Sequence, residues 1–462
     1  MCHTTAVILA AGDGKRMKSD RPKVCCEVLG KPMLSWVTDA CQEAGILPEN
    51  LCVVLSDQPR EAKKLVPQGA TVAVQQERRG TGHAVMMAET FLKEASARGV
   101  GEVVVLCGDA PLVTPAVLEQ ALAFHRENDF CVTVLSAELA DGAGYGRIAR
   151  NNGTFVRIVE AADATAEELA IREINAGAYW FKISYLLSVL PWLTDQNAQA
   201  ELYLTDVVEL APRLGGRAGA FVCLDADIAR GANDRQQLAE LNRAARARVL
   251  DALYAQGVDI PLDDGVLIGP DVHVGRDTTI LPGTILKGHV TIGAGCVIGP
   301  HTTIIDCDIG NGCTIDASRL EKSCVGNGVR IGPFAQLRPD CVVADDVKIG
   351  NFVEIKNSTV GKKTSFAHLT YIGDSNFGAG INVGCGVVTV NYDGKGKYRT
   401  TVEDNAFIGC NTNLIAPVRV GKGAYVAAAT TVIEDVEPDA LAIGRVRQIQ
   451  KPGMALRYRK TH

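Results

Sequence analysis

Long apolar stretches, aromatic residues and a basic excess are all scarce or missing in this sequence of 462 residues. No stretch reaches about 18 consecutive apolar residues, so we expect neither a membrane-spanning helix nor a membrane as a partner. Aromatic residues make up 5% of the chain, whereas the apolar (47%) and charged (22%) fractions are ordinary for a globular protein. The net charge of −6 argues against a nucleic acid as a partner, because nucleic-acid-binding surfaces carry a basic excess.

Disulfide and zinc signatures are also lacking, although the chain has 15 cysteines. The cysteines are odd in number and scattered, and no two of them form a C-x-x-C pair. This pattern favours reduced thiols in a cytoplasmic protein over a disulfide framework or a zinc site. The first residues, Met1-Cys2-His3, lack the basic region of a signal peptide, so the cytoplasm is the expected location.

Residues 1–230 alternate short apolar runs with segments of helical periodicity, which predicts an α/β domain with a mostly parallel, Rossmann-like sheet. Asn151-Asn152-Gly153 separates two short runs and predicts a hairpin of Gly146–Arg150 and Phe155–Val159. Amphipathic helices are predicted over Met33–Cys41 and Gly82–Leu92. The predicted strands are Val7–Ala10, Cys52–Leu55, Thr71–Val74, Val103–Leu106, Val132–Leu135 and Ala178–Phe181.

The sequence pattern changes twice after residue 230. Residues 231–257 carry apolar side chains at helical spacing and predict one linker helix. From 258 to 462 an aliphatic residue recurs every six positions, often followed by Gly, which predicts a parallel β-helix of hexapeptide repeats with a C-terminal tail. The period breaks at the polar run Asn391–Lys397, which we expect to protrude as a loop. The three periodic runs are Val274, Ile280, Leu286, Ile292, Ile298 and Ile304; Val325, Ile331, Leu337, Val343, Ile349 and Ile355; and Ile408, Leu414, Val420, Val426 and Val432.

Two features of the first half point to phosphate and metal chemistry. The Gly-rich segment after strand Val7–Ala10 can present backbone N–H groups to a phosphate, and Arg16 and Lys23 follow it closely. An ordinary strand–helix turn is the alternative for that loop. Asp109 follows a buried strand, where open α/β sheets bind ligands, and a carboxylate there suits Mg²⁺. The alternative is an Asp that caps the next turn.

One cluster of the second half points to catalysis. Arg338 and Lys356 are 18 residues apart, one full coil of three hexads, so they stack about 4.8 Å apart on one edge. Two stacked cations repel unless an anion such as a sugar phosphate lies between them. His368 follows in the next repeats of the sequence and can act as a base near neutral pH. Solvated surface charges and a structural histidine are the alternatives.

An ordered series of short motifs runs along the chain. The motifs in the first half are Leu9–Met17, Pro22-Lys23, Gln75 with Gly80–Ala84, Gly108–Leu112, Gly144–Ile148, Ile158–Glu160, Ile174–Gly177 and Gly231–Arg235. Those in the second half are Leu337–Pro339, Asn351–Lys356, Ala367–Asp374, Asn382 and Asn391–Gly394. By these motifs the first half resembles the sugar-nucleotide pyrophosphorylases. With the second half added, the chain resembles the family of bifunctional N-acetylglucosamine-1-phosphate uridylyltransferases/glucosamine-1-phosphate N-acetyltransferases over about Val7 to Lys451.

The resemblance implies a uridylyltransferase site that takes UTP and N-acetylglucosamine 1-phosphate, with Mg²⁺ held by Asp109 and Asn233. In that reaction the sugar phosphate attacks the α-phosphorus of UTP and pyrophosphate leaves. Cys107 replaces a Tyr that is common in the family. The implied binding residues are Leu9, Ala10, Ala11, Gly12, Arg16, Lys23, Gln75, Gly80, Thr81, Asp109, Gly146, Glu160, Asn175 and Asn233.

It also implies a left-handed β-helix, a homotrimer, and an acetyltransferase site that takes glucosamine 1-phosphate and acetyl-CoA, with His368 as general base. Cys385 and Cys410 depart from the Ala and Ser expected of the family. The implied sugar-phosphate ligands are Arg338, Lys356, Tyr371, Asn382 and Lys397; the implied acetyl-CoA contacts are Cys385, Asn391, Tyr392, Cys410, Ala428 and Arg445.

Three functions are compatible with these features. The first is a two-site enzyme that makes UDP-N-acetylglucosamine for cell-wall precursors. The second is a nucleotidyltransferase with one activity, in which the β-helix assembles subunits or senses effectors. The third is a trimeric scaffold without turnover. The residues around His368 favour the first function over the second, and Lys23, Asp109 and Asn233 argue against the third.

Overall fold

The computed structural model describes residues 4–12, 14–59, 61–142 and 144–459. The chain divides into two compact units, Met1–Ala247 and Arg248–His462. None of the helices in these ranges is long and apolar enough to cross a membrane. The boundary between the units falls inside one helix, Arg235–Ala255, which lies within the segment 231–257.

The N-terminal unit is built on a twisted sheet with the strand order β11-β7-β10-β6-β1-β4-β5, joined at β10 by the hairpin β8–β9. Neighbours are parallel except around β10, which runs antiparallel to β6 and β7. The strands are β1 (Thr4–Ala10), β2 (Glu27–Val28), β3 (Lys31–Pro32), β4 (Leu51–Ser56), β5 (Thr71–Gln75), β6 (Glu102–Cys107), β7 (Val132–Glu138), β8 (Arg147–Asn151), β9 (Thr154–Val159), β10 (Glu173–Lys182) and β11 (Ala218–Cys223).

Helices cover both faces of this sheet because its strands carry apolar residues on both faces. Ile8 of β1 belongs to one core, with Leu34 and Leu118, and Val7 belongs to the other, with Leu92. The helices are α1 (Met33–Glu43), α2 (Thr81–Met86), α3 (Glu89–Ala97), α4 (Pro115–Glu127), α5 (Ala166–Leu169), α6 (Ile183–Val189), α7 (Val207–Arg213) and α8 (Arg235–Ala255), with short 3₁₀ turns at Lys15–Met17, Lys23–Cys25, Pro48–Asn50, Ala62–Leu65, Leu190–Trp192, Leu204–Asp206 and Ala226–Ala229.

The α/β expectation is confirmed, and three local expectations are corrected. The segment predicted as one helix over Gly82–Leu92 forms α2 and α3, with a break at Met87 and Ala88. The strand predicted over Ala178–Phe181 is longer and extends over Glu173–Lys182 as β10. The sequence did not predict β11 (Ala218–Cys223). The hairpin turns at Asn152 and Gly153, which have φ values of 49° and 80°, as a two-residue turn with left-handed backbone requires.

The C-terminal unit is a parallel β-helix with three faces. Each periodic aliphatic residue predicted from the sequence points into its core and is at most 6% exposed. Register partners show that most coils contain 16 to 18 residues, for example Leu337 on Ile355 and Ile298 on Ile315. The third face consists of Val272–Val274, Val290–Ile292, Asp308–Ile309, Ser323–Val325, Cys341–Val343, Thr359–Val360, Ser375–Phe377, Thr400–Val402 and Val418–Val420.

The first and second faces meet at a corner that two nine-residue strands, Lys348–Lys356 and Ser365–Gly373, cross without interruption. The first face also contains Leu267–Ile268, Ile285–Lys287, Thr303–Ile305, Arg319–Glu321, Gln336–Leu337, Val388–Val390, Asn413–Ile415 and Thr431–Val432. The second face also contains Thr279–Ile280, Val297–Ile298, Thr314–Ile315, Arg330–Ile331, Asn382–Val383, Phe407–Ile408, Tyr425–Val426 and Leu441–Ala442.

One coil is much longer than the others. Ser375 pairs with Thr400 and Val388 with Asn413, a separation of 25 residues, because the segment 391–399 is inserted between two faces. The segment is tied to itself by an antiparallel bridge between Tyr392 and Lys397. The expected interruption of the repeat at Asn391–Lys397 is therefore present as an added loop that leaves the coils on either side in register.

Candidate active sites

The carboxyl ends of β1, β5 and β6 meet at one edge of the N-terminal sheet and surround a cavity of about 310 Å³. Parallel strands bring their following loops together at such an edge, which is where open α/β sheets bind ligands. Eight of the predicted UTP-site residues line this cavity: Leu9, Ala11, Gly12, Lys23, Gln75, Gly80, Thr81 and Asp109.

The positively charged side chain of Lys23 lies at this edge. The Lys23 Nζ contacts Asp109 Oδ2 and donates to Asn233 Oδ1 at 2.6 Å, although Asn233 is 210 residues away in sequence. A carboxylate and an amide oxygen thus converge on one positive charge. This pair of oxygens fits Mg²⁺, which commonly takes one or two protein oxygens and completes its shell with water and substrate phosphates. Clusters of three or more His, Cys, Asp or Glu suited to a metal are absent from the described ranges.

Gln75 and Gly80 fix another part of the cavity wall. Gln75 is 5% exposed, and its Nε2 donates to the Gly80 carbonyl at 3.2 Å and contacts His83 Nδ1 at 3.1 Å. Gly80 has φ of 104°, and a Cβ on it would lie 2.6 Å from the Leu202 carbonyl oxygen. Any other residue at position 80 would displace this backbone from the cavity, which explains why glycine is needed there.

A second group of predicted residues meets beside β10. The backbone N–H of Asn175 donates to the Gly146 carbonyl at 2.9 Å, and a Cβ on Gly146 would lie 3.5 Å from Glu160 Oε2. Thr205 donates to Glu160 Oε1 at 3.0 Å, and Asn175 Nδ2 donates to the Tyr179 hydroxyl at 2.7 Å. Burial raises the pKa of Glu160, and the Thr205 hydrogen bond opposes that shift. These residues form a polar cluster around the Glu160 carboxylate.

Three predicted residues of the nucleotide and metal site, Ala10, Arg16 and Asn233, do not line the cavity. Asn233 instead accepts a hydrogen bond from Lys23. Ala10 is 5% exposed and its side chain belongs to the core under α1. Arg16 is exposed on the 3₁₀ turn Lys15–Met17. Cys107 does line the cavity; its Sγ donates to the Gly177 carbonyl at 3.4 Å, and burial raises its thiol pKa to about 12.

Arg78 and Glu201 also line the cavity but were not predicted. Arg78 Nε donates to the Ala11 carbonyl at 3.0 Å and so fixes the backbone of the Gly-rich loop. The polar run that follows β5 was the available signal for Arg78. Glu201 comes from a segment far along the chain, and no local pattern marks it.

In the C-terminal unit, His368 lies at the corner between the first two faces. Its register partner is Asn351, and His368 Nδ1 lies 2.6 Å from Asn351 Oδ1. With Oδ1 as acceptor, Nδ1 carries the proton and Nε2 presents its lone pair outward. The sequence marked Asn351 only as part of a motif and assigned it no function. Its contact with His368 arises because a coil of 17 residues brings these two side chains side by side.

The predicted cations stack on the first face. The Arg338 amide donates to the Ile355 carbonyl at 2.8 Å, which places Lys356 one coil above Arg338, as predicted. Arg338 Nη1 donates to Glu354 Oε1 at 3.0 Å. The hydrogen bond and charge of Lys397, together with desolvation, lower the pKa of Lys356. Three cations thus share one patch with the carboxylates of Glu354 and Asp374.

Asp374 fixes the inserted loop to this patch. It is 5% exposed and accepts hydrogen bonds from Asn357 Nδ2 at 2.5 Å and from Asn391 Nδ2. Burial raises the pKa of Asp374, but these two hydrogen bonds and the charge of Lys356 outweigh it, and the pKa is lowered. A Cβ on Gly373 would lie 2.6 Å from the Tyr371 hydroxyl and 2.9 Å from Asn391 Nδ2, so Tyr371 closes the same patch.

The predicted acetyl-CoA contacts divide into two places. Cys385, Cys410 and Ala428 stack at the corner of His368 on successive coils; Asn411 N donates to the Cys385 carbonyl and Ala429 N to the Cys410 carbonyl. Arg445 reaches this column and donates to the Ala428 carbonyl at 2.9 Å. Tyr392 and Asn391 instead belong to the inserted loop. Asn382, a predicted sugar-phosphate ligand, lies on the second face, three residues before Cys385.

Comparison with known proteins covers both units. The MobA-like NTP transferase domain matches residues 6–177, and six bacterial transferase hexapeptide repeats match 271–306 and 325–357. Bifunctional protein GlmU of Halalkalibacterium halodurans is 45% identical over 452 residues, 98% of either chain. The GlmU proteins of Thermoanaerobacter pseudethanolicus and of Geobacillus sp. (strain WCH70) are each 46% identical, over 97% and 96% of this chain and 96% of their own.

The chain belongs to the bifunctional GlmU family. It is therefore an enzyme with two activities. One transfers an acetyl group from acetyl-CoA to glucosamine 1-phosphate. The other transfers uridylyl from UTP to N-acetylglucosamine 1-phosphate, releases pyrophosphate and yields UDP-N-acetylglucosamine for peptidoglycan synthesis. The alternatives of a passive β-helix or an inactive scaffold are not favoured, since relatives named bifunctional match nearly the whole chain.

Proposed function

We propose that the N-terminal cavity binds UTP, with Lys23, Asp109 and Asn233 as its reactive centre. Leu9, Ala10, Ala11 and Gly12 form the strand end and loop beside the nucleotide, while Gln75, Gly80 and Thr81 hold the base. Mg²⁺ held by Asp109 and Asn233 supplies charge neutralisation on the phosphates. Lys23, with Arg16 from the exposed turn, neutralises further negative charge. The observation that carries this proposal is the convergence of both proposed metal ligands on one cation.

The polar cluster of Gly146, Glu160 and Asn175 binds the N-acetylglucosamine moiety in this proposal. Its carboxylate and amide can each hydrogen-bond a sugar hydroxyl or the acetamido group, and Gly146 leaves room for the ring. Uridylyl transfer then needs the sugar phosphate held in line with the α-phosphorus of UTP. Positioning and electrostatic stabilisation account for such a reaction without a protein base.

The acetyltransferase site is proposed at the His368 corner. Arg338, Lys356, Tyr371, Asn382 and Lys397 bind glucosamine 1-phosphate. The 2-amino nitrogen of glucosamine 1-phosphate attacks the thioester carbonyl of acetyl-CoA, and His368 Nε2 accepts the proton that this nitrogen loses. Coenzyme A then leaves as its thiol. Acetyl-CoA runs along the column above His368 and the inserted loop, in contact with Cys385, Asn391, Tyr392, Cys410, Ala428 and Arg445.

The same proposal divides the chain into a uridylyltransferase domain (1–230), a linker helix (231–257) and an acetyltransferase domain with its tail (258–462). It also includes a homotrimer, because hexapeptide β-helices commonly trimerise through their flat faces, and a cytoplasmic location. Small-molecule substrates are the partners, rather than nucleic acids or membranes.

Assays of each half-reaction on the purified full chain test this function. Acetyl transfer is followed by mass spectrometry of N-acetylglucosamine 1-phosphate, and uridylyl transfer by pyrophosphate release with Mg²⁺ present and after chelation. We expect both products, with only the second reaction dependent on Mg²⁺. Uridylyl transfer without any acetyl transfer would refute the proposed role of the His368 corner.

A further inference from the structure

Two partly exposed thiols lie one above the other on the column that carries His368. Cys385 is half-buried and Cys410 is exposed, and neither forms a disulfide. The Gly384 amide donates to the Ile408 carbonyl at 2.8 Å and the Asn411 amide to the Cys385 carbonyl at 2.7 Å. These bonds put Cys385 and Cys410 at equivalent positions of adjacent coils, although the inserted loop separates them by 25 residues in sequence.

Their spacing suits a covalent bond between the two sulfurs. Adjacent parallel strands lie about 4.8 Å apart, and a disulfide needs a Cα–Cα separation of roughly 4.4–6.8 Å. The Cys410 thiol is turned back toward the coil of Cys385, because a Cβ on Gly384 would lie only 2.9 Å from Cys410 Sγ. Rotation of the two side chains can then bring the sulfurs together.

Exposure distinguishes this pair from the other cysteines of the β-helix. Cys296 and Cys313 are also neighbours on adjacent coils, but each is 1% exposed inside the core. Cys324 is exposed, but its register neighbours are Asp308 and Val342. Within the described ranges of the β-helix, Cys385 and Cys410 are thus the stacked thiols that a small molecule can reach.

We propose that Cys385 and Cys410 form a reversible redox pair that switches acetyl transfer off. This inference rests on the proposed acetyl-CoA column, which must stay open to solvent for the substrate to enter. The oxidant is a small organic disulfide that enters by the same route. Coenzyme A disulfide represents this class, because its shape suits the column. An exposed disulfide of this kind is easily reduced again, as a regulatory bond must be.

The exchange balances in two steps. The Cys410 thiolate attacks one sulfur of the small disulfide, forms a mixed disulfide and releases one small thiolate. The Cys385 thiolate then attacks the Cys410 sulfur, forms the Cys385–Cys410 bond and releases the second small thiolate. The protein loses two electrons and two protons, and the small disulfide is reduced to two thiols. Cys410 reacts first because it is the more exposed of the pair.

The experiment oxidises the full-length protein with coenzyme A disulfide, alkylates the remaining thiols and measures both activities. We expect a cross-linked peptide joining Cys385 to Cys410 and a loss of acetyl transfer of roughly tenfold or more, reversed by dithiothreitol. Pyrophosphate release should stay unchanged, because it belongs to the N-terminal unit. Each protein is compared with its own reduced form, since both cysteines lie in the proposed binding column.

Three variants make the test specific. Cys410→Ser should be insensitive to the oxidant, and Cys385→Ala should retain a coenzyme A adduct on Cys410, since no second thiol resolves it. Cys324→Ser should remain as sensitive as the unmodified chain. Absence of the cross-link, a cross-link without loss of acetyl transfer, or equal loss in Cys410→Ser would each overturn the proposal. A reduced protein without acetyl transfer would instead refute the proposed function.

Discussion

Lys23 is the residue on which the proposed metal ligands of the N-terminal unit converge. Its ammonium is a positive charge between Asp109 and Asn233 before any substrate binds. In the proposed function this charge would serve the phosphates of the nucleotide, and Asp109 would position both the metal and Lys23.

Replacing Asp109 with Ala should reduce pyrophosphate release by roughly 10²–10³, because the metal and Lys23 both lose their anchor. Acetyl transfer should be unchanged. The measurement is a pair of assays, pyrophosphate release and N-acetylglucosamine 1-phosphate formation, on one preparation. Asp129→Ala is the matched control, because Asp129 forms an exposed ion pair with Lys182 in the same unit. Equal loss of both activities in folded Asp109→Ala would contradict the separation of the sites.

His368→Ala should lower kcat for acetyl transfer by roughly 10²–10⁴, the usual contribution of a general base. Asn351→Ala should lower kcat less, because the imidazole remains but its orientation and tautomer are no longer fixed. The acetyl-CoA KM should change little in either variant, which distinguishes these roles from binding. Steady-state kinetics with acetyl-CoA varied gives both constants. Near-normal turnover of His368→Ala would transfer the base role to another group or to water.

His125 gives the N-terminal unit a dependence of stability on pH. It is 1% exposed, its Nδ1 lies 2.8 Å from the Thr133 hydroxyl, and burial lowers its pKa from 6.5 to about 4. Below pH 6.5 the unfolded chain binds a proton that the folded unit refuses until about pH 4. The free energy of unfolding therefore falls as the pH drops through this window, by up to about 3 kcal/mol.

His125→Gln should remove this part of the pH dependence. Denaturant unfolding followed by tryptophan fluorescence measures it, because Trp36, Trp180 and Trp192 all belong to the N-terminal unit. The comparison is the change in unfolding free energy between pH 7 and pH 5, so that a constant effect of the substitution cancels. The same change in both proteins would show that His125 does not titrate in this window.

At the scale of elements, the β-helix was predictable because its buried positions depend on a local repeat. Val274 to Ile304 advance by six residues without a slip, and all of them enter the core. Between Ile304 and Val325 the repeat shortens in places to five, as from Ile304 to Ile309, where a tighter corner removes one residue. A strict hexad pattern misses such coils, although Ile309, Ile315 and Leu320 are equally buried.

The sites were less predictable than the fold because they depend on register and on distant chain segments. The stacking of Arg338 under Lys356 follows from one coil length and was predicted correctly. The Asn351–His368 contact requires a coil of 17 residues, which hexads do not predict. Asp374 anchors the loop through Asn391, and only the folded chain shows that an insertion turns back onto the preceding coil.

Asp374→Ala should release the inserted loop. Asn391 is 8% exposed, so loss of its acceptor leaves a buried amide unpaired, which costs about 1–3 kcal/mol. The loop carries Lys395, Lys397 and Arg399, so limited proteolysis with trypsin should cut it faster, and the KM for both acetyltransferase substrates should rise. Glu321→Ala, which removes only a surface pair with Arg319, serves as the control. Unchanged cleavage of the Asp374 variant would show that other contacts hold the loop.

At the scale of the whole molecule, two separately cored units share one helix. Leu250 and Leu253, near the end of α8, belong to the core of the β-helix. Leu241 and Ala245, further back on the same helix, are 1% exposed. The helix therefore contributes apolar side chains beyond the unit boundary at Ala247, and a cut inside it would expose them.

Truncation after Gln256 keeps α8 complete and should leave uridylyl transfer active on supplied N-acetylglucosamine 1-phosphate, while acetyl transfer disappears. The loss follows from removal of every proposed acetyltransferase residue. Pyrophosphate release and size-exclusion chromatography test the shortened protein, and loss of the larger assembly is expected if the β-helix holds the trimer. A folded fragment without nucleotidyl transfer would show that the uridylyltransferase site needs the second unit.

The 25-residue coil also has a consequence for how this scaffold tolerates insertions. Each coil contacts only the coils before and after it, so extra residues that leave and re-enter at the same register do not disturb the stack. The inserted loop can lengthen, shorten or change its chemistry while Arg338 and Lys356, which belong to the coils, keep their register. The segment 391–399 can therefore vary in length and sequence without altering the register of the coils that support it.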